Sequence, residues 1–325
     1  FLNFLLNLKE KFKDFIEISV LVDKIFFEDK KIFLHKQNFI KNIYKGSKKY
    51  INNFDATFFI SRTIGIIHCD IEKLYSLNPF YIYIKNYTNI LNNLSIDYRG
   101  HPEQILERYA LIQGRDRIQQ MDLDNLIGTK SKLKINLKNE DEVLKKFNLK
   151  STKYITIQNG VGVGLEKINW TRLYPCDKYS KLLKLIKENY NNYKIIQFGY
   201  KNNVLVEGVD INICGKTTFE EMLVILKNSS LHIDTECGSI HFRHFLCEKP
   251  SLVIFGSTNK NFYGYKENIN ISSDKQCFGC GCDWITNDWH NKCIKTNSSS
   301  SIPCMNIEPE YIFEELQKSG VLKNE

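Results

Sequence analysis

Residues 231–241 read LHIDTECGSIH, and our fold prediction starts from this stretch. Leu231–Asp234 is typical of a short buried strand, and Ser239–Phe245 begins a helix directly after a turn of small residues. In open parallel sheets, ligands bind at the carboxyl ends of strands, where the N–H groups of a helix N-terminus can hold a phosphate. Two interpretations are open: Asp234 receives sugar or ribose hydroxyls, or it caps the helix while His241 packs in the core.

The same alternation of strand and helix extends through the second half of the chain. Strands alternating with helices predict an α/β unit with a parallel sheet and helices on both faces. The further predicted strands are Tyr154–Gln158, Lys194–Gly199, Val209–Cys214 and Ser251–Phe255, and the helices are Tyr179–Glu188, Thr217–Lys227 and Pro309–Gln317.

The first half alternates less regularly. It has helical spacing at Phe4–Lys13, Pro102–Gln113 and Glu140–Phe147, and strand patterns at Ile16–Val22, Asp55–Ile60, Phe80–Ile84 and Leu133–Leu137. The pattern restarts around Asn148–Lys153, so we predict one domain over residues 1–150 and a second over residues 151–325. A chain of 325 residues is long enough for two domains.

Composition narrows the class of protein. The 45 Lys and Arg residues exceed the 37 Asp and Glu residues and give a net charge of +8, but only seven of them are Arg. Nucleic-acid readers favour Arg for bidentate contacts, so we predict no nucleic-acid partner. No apolar run reaches about 18 residues, which predicts no membrane span. The first residues lack a secretory signal, which predicts a cytoplasmic protein with free thiols.

Two glycine-containing segments resemble nucleotide-binding motifs without matching them. Gly160, Gly162 and Gly164 follow a strand, but the dinucleotide fingerprint requires glycine where Leu165 stands. Gly215-Lys216-Thr217 is not a P-loop, since the glycine needed five residues earlier is Asp210. The glycines therefore indicate either a tight turn or a backbone cradle for a phosphate.

Five of the ten cysteines lie between residues 277 and 304. Cys277, Cys280, Cys282 and Cys293 are the candidate ligands if the cluster binds zinc or an iron–sulfur centre. Ten residues separate Cys293 from Cys304, so the close second pair of a zinc ribbon is missing. We favour packed or locally disulfide-bonded thiols over a metal site, and we predict no required cofactor.

Residues 154–312 resemble the C-terminal half of the heptosyltransferase-like glycosyltransferases of family 9. Six matching segments follow in the family's order. They are Tyr154–Gly160, Lys167-x-x-Trp170, Ile195–Gly199, Gly215–Glu221, Asp234–His241 and Pro250–Thr258. The family signature places its glycine two residues after an aspartate, whereas here Glu236 and Cys237 stand between Asp234-Thr235 and Gly238. Either the loop is longer, or Glu236 takes over part of the hydroxyl-binding role.

The resemblance implies a GT-B fold, in which two Rossmann-like domains face each other across a cleft. It implies inverting transfer of a heptose or related sugar from a nucleotide-diphospho-sugar to a lipopolysaccharide or capsule glycan, with peripheral contact at the inner membrane. The alternatives are an inactive nucleotide-sugar or glycan-binding domain of a larger capsule-assembly protein, or transfer of another nucleotide-activated group. The chain starts without Met, so we expect the first strand of the N-terminal domain to precede Phe1.

The resemblance also implies roles for individual residues. Lys167 would neutralise the departing diphosphate, Asp234, Thr235 and Glu236 would contact hydroxyls, and Glu221 would contact the ribose. The full set of predicted donor-binding residues is Asn159, Gly160, Lys167, Gly199, Lys216, Glu221, Asp234, Thr235, Glu236, Gly238, Ser239 and His241. We expect the catalytic base before Phe1; Asp97 and His101, in a segment that also fits an ordinary exposed loop, are the weaker candidates.

Overall fold

The computed structural model describes most of the chain. The described residues are 2–22, 34–35, 37–46, 50, 53–60, 64–70, 102–120, 122, 127–128, 132–133, 135–159, 170–247, 249–273, 282–284 and 289–323. The chain divides into two compact units, Phe1–Ile135 and Asn136–Glu325. The boundary thus lies before residue 150. Helix Glu140–Lys146 belongs to the second unit, because its Leu144 packs in that unit's core.

The described residues of the first unit include two α-helices, the short 3₁₀ helix Lys13–Phe15 and two strand pairs. Helix α1 spans Leu2–Phe12 and α2 spans Pro102–Ile112; strands β1 (Ile18–Val22) and β2 (Ile40–Lys45) pair in parallel, and β3 (Ala56–Ile60) and β4 (Ile64–Cys69) pair antiparallel. Four sequence predictions for this unit are thus confirmed to within a few residues: α1, α2, β1 and β3. The helix predicted at Glu140–Phe147 is confirmed as Glu140–Lys146, which belongs to the second unit. Strands β2 and β4 were missed.

One strand prediction in the first unit is wrong and another is untested. Leu133 and residues 135–137 form no strand. Leu133 and Ile135 are nevertheless buried, and the Leu133 N–H donates to Asn3 Oδ1 of α1 at 2.8 Å. The alternating apolar residues therefore reflect the burial of an irregular segment. The predicted strand Phe80–Ile84 lies outside the described residues.

The second unit is built on one parallel sheet of six described strands. The strands are β5 (Tyr154–Ile157), β6 (Lys194–Gln197), β7 (Ile211–Asn212), β8 (Leu231–Thr235), β9 (Ser251–Phe255) and β10 (Ile269–Ser272). Their order across the sheet is β10-β9-β8-β5-β6-β7, and every adjacent pair is parallel. All the strands predicted for this half are confirmed, although β7 is shorter than predicted, and β10 was missed.

Helices cover both faces of this sheet. They are α3 (Glu140–Lys146), α4 (Cys176–Asn189), α5 (Phe219–Asn228), α6 (Gly238–Leu246), α7 (Lys260–Tyr263) and α8 (Pro309–Ser319). Alternate residues of a strand point to opposite faces. Ile155 and Ile157 accordingly pack in a cluster with α4 and α8, whereas Tyr154 packs in a second cluster with α3 and α5. Within the described residues, no helix combines the length and the apolar character needed to cross a bilayer.

Candidate functional site

The strand order of the second unit identifies one position on the sheet as special. After β5 the chain builds β6 and β7 on one side, and then returns to place β8, β9 and β10 on the other. In open α/β sheets, ligands bind outside the carboxyl ends of the strands at such a reversal. A binding site is therefore expected at the residues that follow these strands, which are Asn159 after β5 and the Glu236-Cys237 turn after β8.

Asp234, at the end of β8, is fully buried and already engaged. Its Oδ1 accepts the Thr235 N–H at 2.8 Å, and its Oδ2 accepts from Ser239 Oγ at 2.7 Å and from Cys237 Sγ at 2.9 Å. Burial, reinforced by the Asp234 carboxylate, raises the pKa of the Cys237 thiol, so the thiol stays protonated and can donate. In this structure Asp234 thus holds the β8–α6 turn in shape through side chains and the Thr235 N–H, and it does not cap helix α6; its contact with a ligand stays a prediction.

A buried histidine completes this support. His232 Nε2 lies 3.0 Å from Ser239 Oγ, and His232 Nδ1 lies 3.1 Å from Thr156 Oγ1 on β5. Burial lowers the pKa of His232 despite the opposing hydrogen bond to Asp234, which favours the neutral ring. Strands β5 and β8 and helix α6 are therefore tied together beneath the turn by buried side chains.

Glu236 is the second carboxylate of the turn, and it occupies a different environment. It stands two residues before Gly238, the spacing that the family signature gives its carboxylate. Its Oε2 accepts from Arg172 Nη2 at 2.9 Å, and its Oε1 lies 3.1 Å from His241 Nε2. His241 Nδ1 in turn lies 2.7 Å from Tyr265 Oη. His241, which we considered as a core residue, therefore links Glu236 to Tyr265 and remains partly exposed.

The start of α6 is open to an anion. Cys237 occupies the N-cap position with extended backbone and makes no side-chain cap, and the first turn contains no acidic residue. The N-terminal end of a helix carries partial positive charge and unsatisfied N–H groups. The Gly238 and Ser239 backbone, next to small side chains, can therefore approach a phosphate closely.

The predicted residues on the other side of β5 are engaged in local structure. Glu221 Oε2 accepts the Thr218 N–H at 2.8 Å, Thr218 Oγ1 accepts the Glu221 N–H at 3.2 Å, and Lys146 Nζ binds Glu221 Oε1 at 2.6 Å. Lys216 Nζ donates to the Asn212 carbonyl at 2.9 Å. Gly199 adopts a positive φ of 145°, and a Cβ there would lie 2.1 Å from Asn203 Oδ1. Gly199 is therefore required by the turn itself, whatever it binds.

Asn159 and Tyr179 line the base of the reversal between β5 and β8. Asn159 is buried and its Nδ2 donates to Cys176 Sγ at 3.0 Å. Tyr179, from α4, donates its hydroxyl to the Ile233 carbonyl of β8 at 2.7 Å. Burial raises the pKa of the Tyr179 hydroxyl, which keeps it a donor. Sequence reasoning included Asn159 and missed Tyr179, which it treated only as part of a helix.

Several predicted residues lie outside the described part of the chain. These are Asp97, His101, Gly160, Lys167, Cys277 and Cys280. Cys282 and Cys293 are both buried, and Cys293 is a free thiol. No group of three or more His, Cys, Asp or Glu side chains positioned for a metal ion occurs among the residues that the structure describes. The weaker alternative of a metal site at the Cys cluster therefore stays untested.

Arg172 is the member of the site that sequence reasoning missed. It lies in the short helical turn Trp170–Arg172, directly after the Lys-x-x-Trp segment, and it contacts Glu236 through both the carboxylate and the main-chain carbonyl. The sequence contains only a weak indication that this residue contacts a carboxylate. Arg is rare in this Lys-rich chain, and Arg is preferred for planar contacts with carboxylates.

Comparison with known proteins agrees with the resemblance. Lipopolysaccharide heptosyltransferase 1 of Campylobacter coli is 26% identical over 285 residues, covering 80% of this chain and 77% of that protein. The structure of the E. coli ADP-heptose lipopolysaccharide heptosyltransferase II matches with a TM-score of 0.52 and 10% identity, over 98% of this chain and 93% of that one. A glycosyl transferase of family 9 from Veillonella parvula matches with a TM-score of 0.55 and 13% identity, over 98% and 92%.

The resemblance inferred from residues 154–312 is therefore confirmed, and the sequence match extends over most of the chain. The α/β fold class is confirmed as well, since the two solved structures show that the chain has the fold of the GT-B heptosyltransferases. No protein-family model matches the chain.

Proposed function

We propose that this chain is a glycosyltransferase that transfers a heptose or a related sugar from a nucleotide-diphospho-sugar to bacterial lipopolysaccharide or a similar surface glycan. The observation that carries the proposal is the similarity to a lipopolysaccharide heptosyltransferase over 80% of the chain. The open start of α6 lies where a donor would bind in such a fold, at the carboxyl edge of the sheet.

The described residues suggest how the donor would be held. The backbone N–H groups of Gly238 and Ser239 would face the diphosphate, and Glu236, two residues earlier, would accept hydroxyls of the sugar or ribose. Asp234 would act from below by holding Ser239 and Cys237 in place. In this proposal, Glu236 carries the hydroxyl-binding role that the resemblance assigned jointly to Asp234, Thr235 and Glu236.

Lys167 remains the proposed cation for the leaving group. As the bond from the sugar to the diphosphate breaks, negative charge develops on the diphosphate, and a lysine together with a helix N-terminus can stabilise it without a divalent metal. The acceptor hydroxyl attacks from the opposite face of the sugar, which inverts the anomeric centre, and needs a general base. We place the reaction in the cytoplasm beside the inner membrane, where the Lys-rich surface would meet anionic lipid.

A transfer assay with a panel of nucleotide-activated heptoses and a truncated lipopolysaccharide acceptor tests the proposal. Wild-type protein is expected to turn over at least one donor, and Lys167→Ala to lower kcat about 100-fold, the effect of removing one group that stabilises developing charge. Lys187→Ala is a matched control, because Lys187 pairs with Asp210 at the amino edge of the same sheet. NMR of the product would report whether the anomeric centre inverts.

The outcomes separate the proposal from its rivals. Protein that neither turns over a donor nor binds a nucleotide by calorimetry would contradict it. Nucleotide-sugar binding without turnover would favour an inactive binding domain. Turnover of donors that carry a group other than a sugar would favour a different transferase on the same fold.

A further inference from the structure

Arg172 makes two contacts with one residue of the signature turn. Its Nη2 donates to Glu236 Oε2 at 2.9 Å and also to the Glu236 main-chain carbonyl. Its guanidinium carbon lies 6.0 Å from the centre of the Trp289 ring, within the range of a cation–π contact. Arg172 therefore fixes both the backbone and the side chain of Glu236, at the residue that precedes the N-cap of α6.

The backbone that carries Arg172 is itself held tightly. Thr171 is buried, and its Oγ1 donates to Ser257 Oγ at 3.3 Å. A Cβ on Gly256 would lie 2.2 Å from the Thr171 carbonyl oxygen, so the turn that leads to Arg172 lies directly against the end of β9. The guanidinium consequently projects towards Glu236 from a fixed base.

The charge at this position matters for an anionic ligand. The Glu236 side chain is only 5% exposed and stands next to the end of α6 that would hold a diphosphate. An uncompensated carboxylate there would repel the diphosphate, because water screens charges poorly at a nearly buried site. Arg172 on Oε2 supplies the compensating charge, and His241 contacts the other oxygen.

We propose that Arg172 is a positioning residue for donor binding: it compensates and orients the Glu236 carboxylate so that a nucleoside diphosphate group can occupy the start of α6. This inference rests on the proposed function. It assigns to Arg172 a role through Glu236, and not a direct contact with the phosphates.

A double-mutant cycle tests this role of Arg172. Calorimetry would measure the binding of sugar-free nucleoside diphosphates (ADP, GDP, UDP and CDP) to the wild type, to Arg172→Ala, to Glu236→Gln and to the double variant. Arg172→Ala is expected to raise Kd about tenfold, because the negative charge of Glu236 would then repel the diphosphate with little screening by water. Adding Glu236→Gln to that variant removes the negative charge that faced Arg172 and is expected to restore Kd to within about threefold of wild type. Glu236→Gln alone is expected to bind about threefold more tightly, because the positive charge of Arg172 is then unopposed.

Each other outcome has a distinct meaning. A double variant as weak as Arg172→Ala would overturn the proposal in favour of direct contact between Arg172 and the phosphates. Equal binding by Arg172→Ala and wild type would overturn it outright. If Arg172→Ala does not fold, Arg172→Lys serves instead, since it keeps the charge without the fork and is expected to bind better than Arg172→Gln; equal binding by these two variants would contradict the proposal.

Lys187→Ala, which removes a paired cation at the opposite edge of the sheet, is the matched control and is expected to leave Kd unchanged. Thermal unfolding of each variant separates loss of binding from loss of structure. Wild-type protein that binds none of the four nucleotides would contradict the proposed function. If the wild type binds a nucleotide but the variants do not show the expected changes in Kd, only the role of Arg172 is contradicted.

Discussion

Helices α5 and α6 belong to the same unit, but their first turns are built in opposite ways. Helix α5 begins with a complete capping box, in which Thr218 and Glu221 exchange hydrogen bonds and Glu220 and Glu221 place negative charge at the positive end of the helix. Helix α6 begins at Gly238; its N-cap residue Cys237 makes no side-chain cap, and its first turn contains no acidic residue. One helix start is closed by its own residues, and the other is left open.

The difference separates a structural helix start from a candidate binding one. At the start of α5, the capping box satisfies backbone N–H groups and the nearby carboxylates repel an anion. The start of α6 has neither feature, so its backbone N–H groups can bind a phosphate. Helix α6 draws its support from elsewhere, through Asp234 beneath the turn and Arg172 beside it. Glu221, predicted as a ribose contact, serves as a cap in this structure, and its contact with ribose stays a prediction.

The largest expected effect comes from Gly256→Ala, which would displace the backbone of Thr171 and with it Arg172, beside the start of α6. The added Cβ would lie 2.2 Å from the Thr171 carbonyl and 2.5 Å from Met305 Sδ, so backbone must move. We expect a loss of about 3 kcal/mol in the free energy of unfolding, as for an overpacked core, together with weaker nucleotide binding. Chemical denaturation measures the first and calorimetry the second.

Gly238→Ala is the matched control for that substitution. A Cβ at Gly238 meets only Phe242 Cε2, at an ordinary 3.7 Å. Its stability is therefore expected to stay within about 1 kcal/mol of wild type, since Ala is a better helix former than Gly and no clash arises. Equal destabilisation by the two substitutions would show that the contact of Gly256 with Thr171 is not what matters.

Gly238→Asp would make the start of α6 resemble that of α5. The side chain fits, and a carboxylate at a helix N-terminus stabilises the helix by about 0.5 kcal/mol. The same charge would repel a diphosphate, so we expect nucleotide Kd to rise at least about tenfold while the melting temperature holds or rises. Gly238→Asn has the same shape without the charge and is expected to retain most of the affinity. Equal losses for Asp and Asn would argue against an anion at this helix start.

Thr218→Ala has the smallest expected effect and addresses the closed start. Loss of the N-cap is expected to cost about 1 kcal/mol of stability, with nucleotide binding unchanged. Partial burial raises the pKa of Glu221, but the hydrogen bonds from Lys146 and Thr218 outweigh this and lower it overall from 4.5. The contribution of Glu221 is thus complete above its ordinary pKa and is lost as the pH falls through the lowered value. Both proteins should lose it on acidification, because the backbone N–H of residue 218 and Lys146, which donate to the carboxylate, remain in Thr218→Ala. Weakened nucleotide binding by Thr218→Ala would instead support a ligand role for the start of α5.

The sequence predicted local features well because their causes are local. The strands of the second unit are short apolar runs bounded by turns, so they can be read from neighbours in the chain. The prediction for Leu133–Leu137 failed because alternating apolar residues report burial, and an irregular segment tied to Asn3 produces the same alternation as a strand. Arg172 was missed because its partner Glu236 is 64 residues away.

The sequence by itself thus determined the alternation of strands and helices, the position of the signature turn and the residue types available there. Only the tertiary structure decided which side chains surround each of the two carboxylates of the turn. Both are buried, but the oxygens of Asp234 accept from Ser239 and Cys237 of its own turn, whereas Glu236 lies between Arg172 and His241. Burial and charge compensation depend on segments that meet only after folding, and the spacing of residues along the chain does not encode either directly.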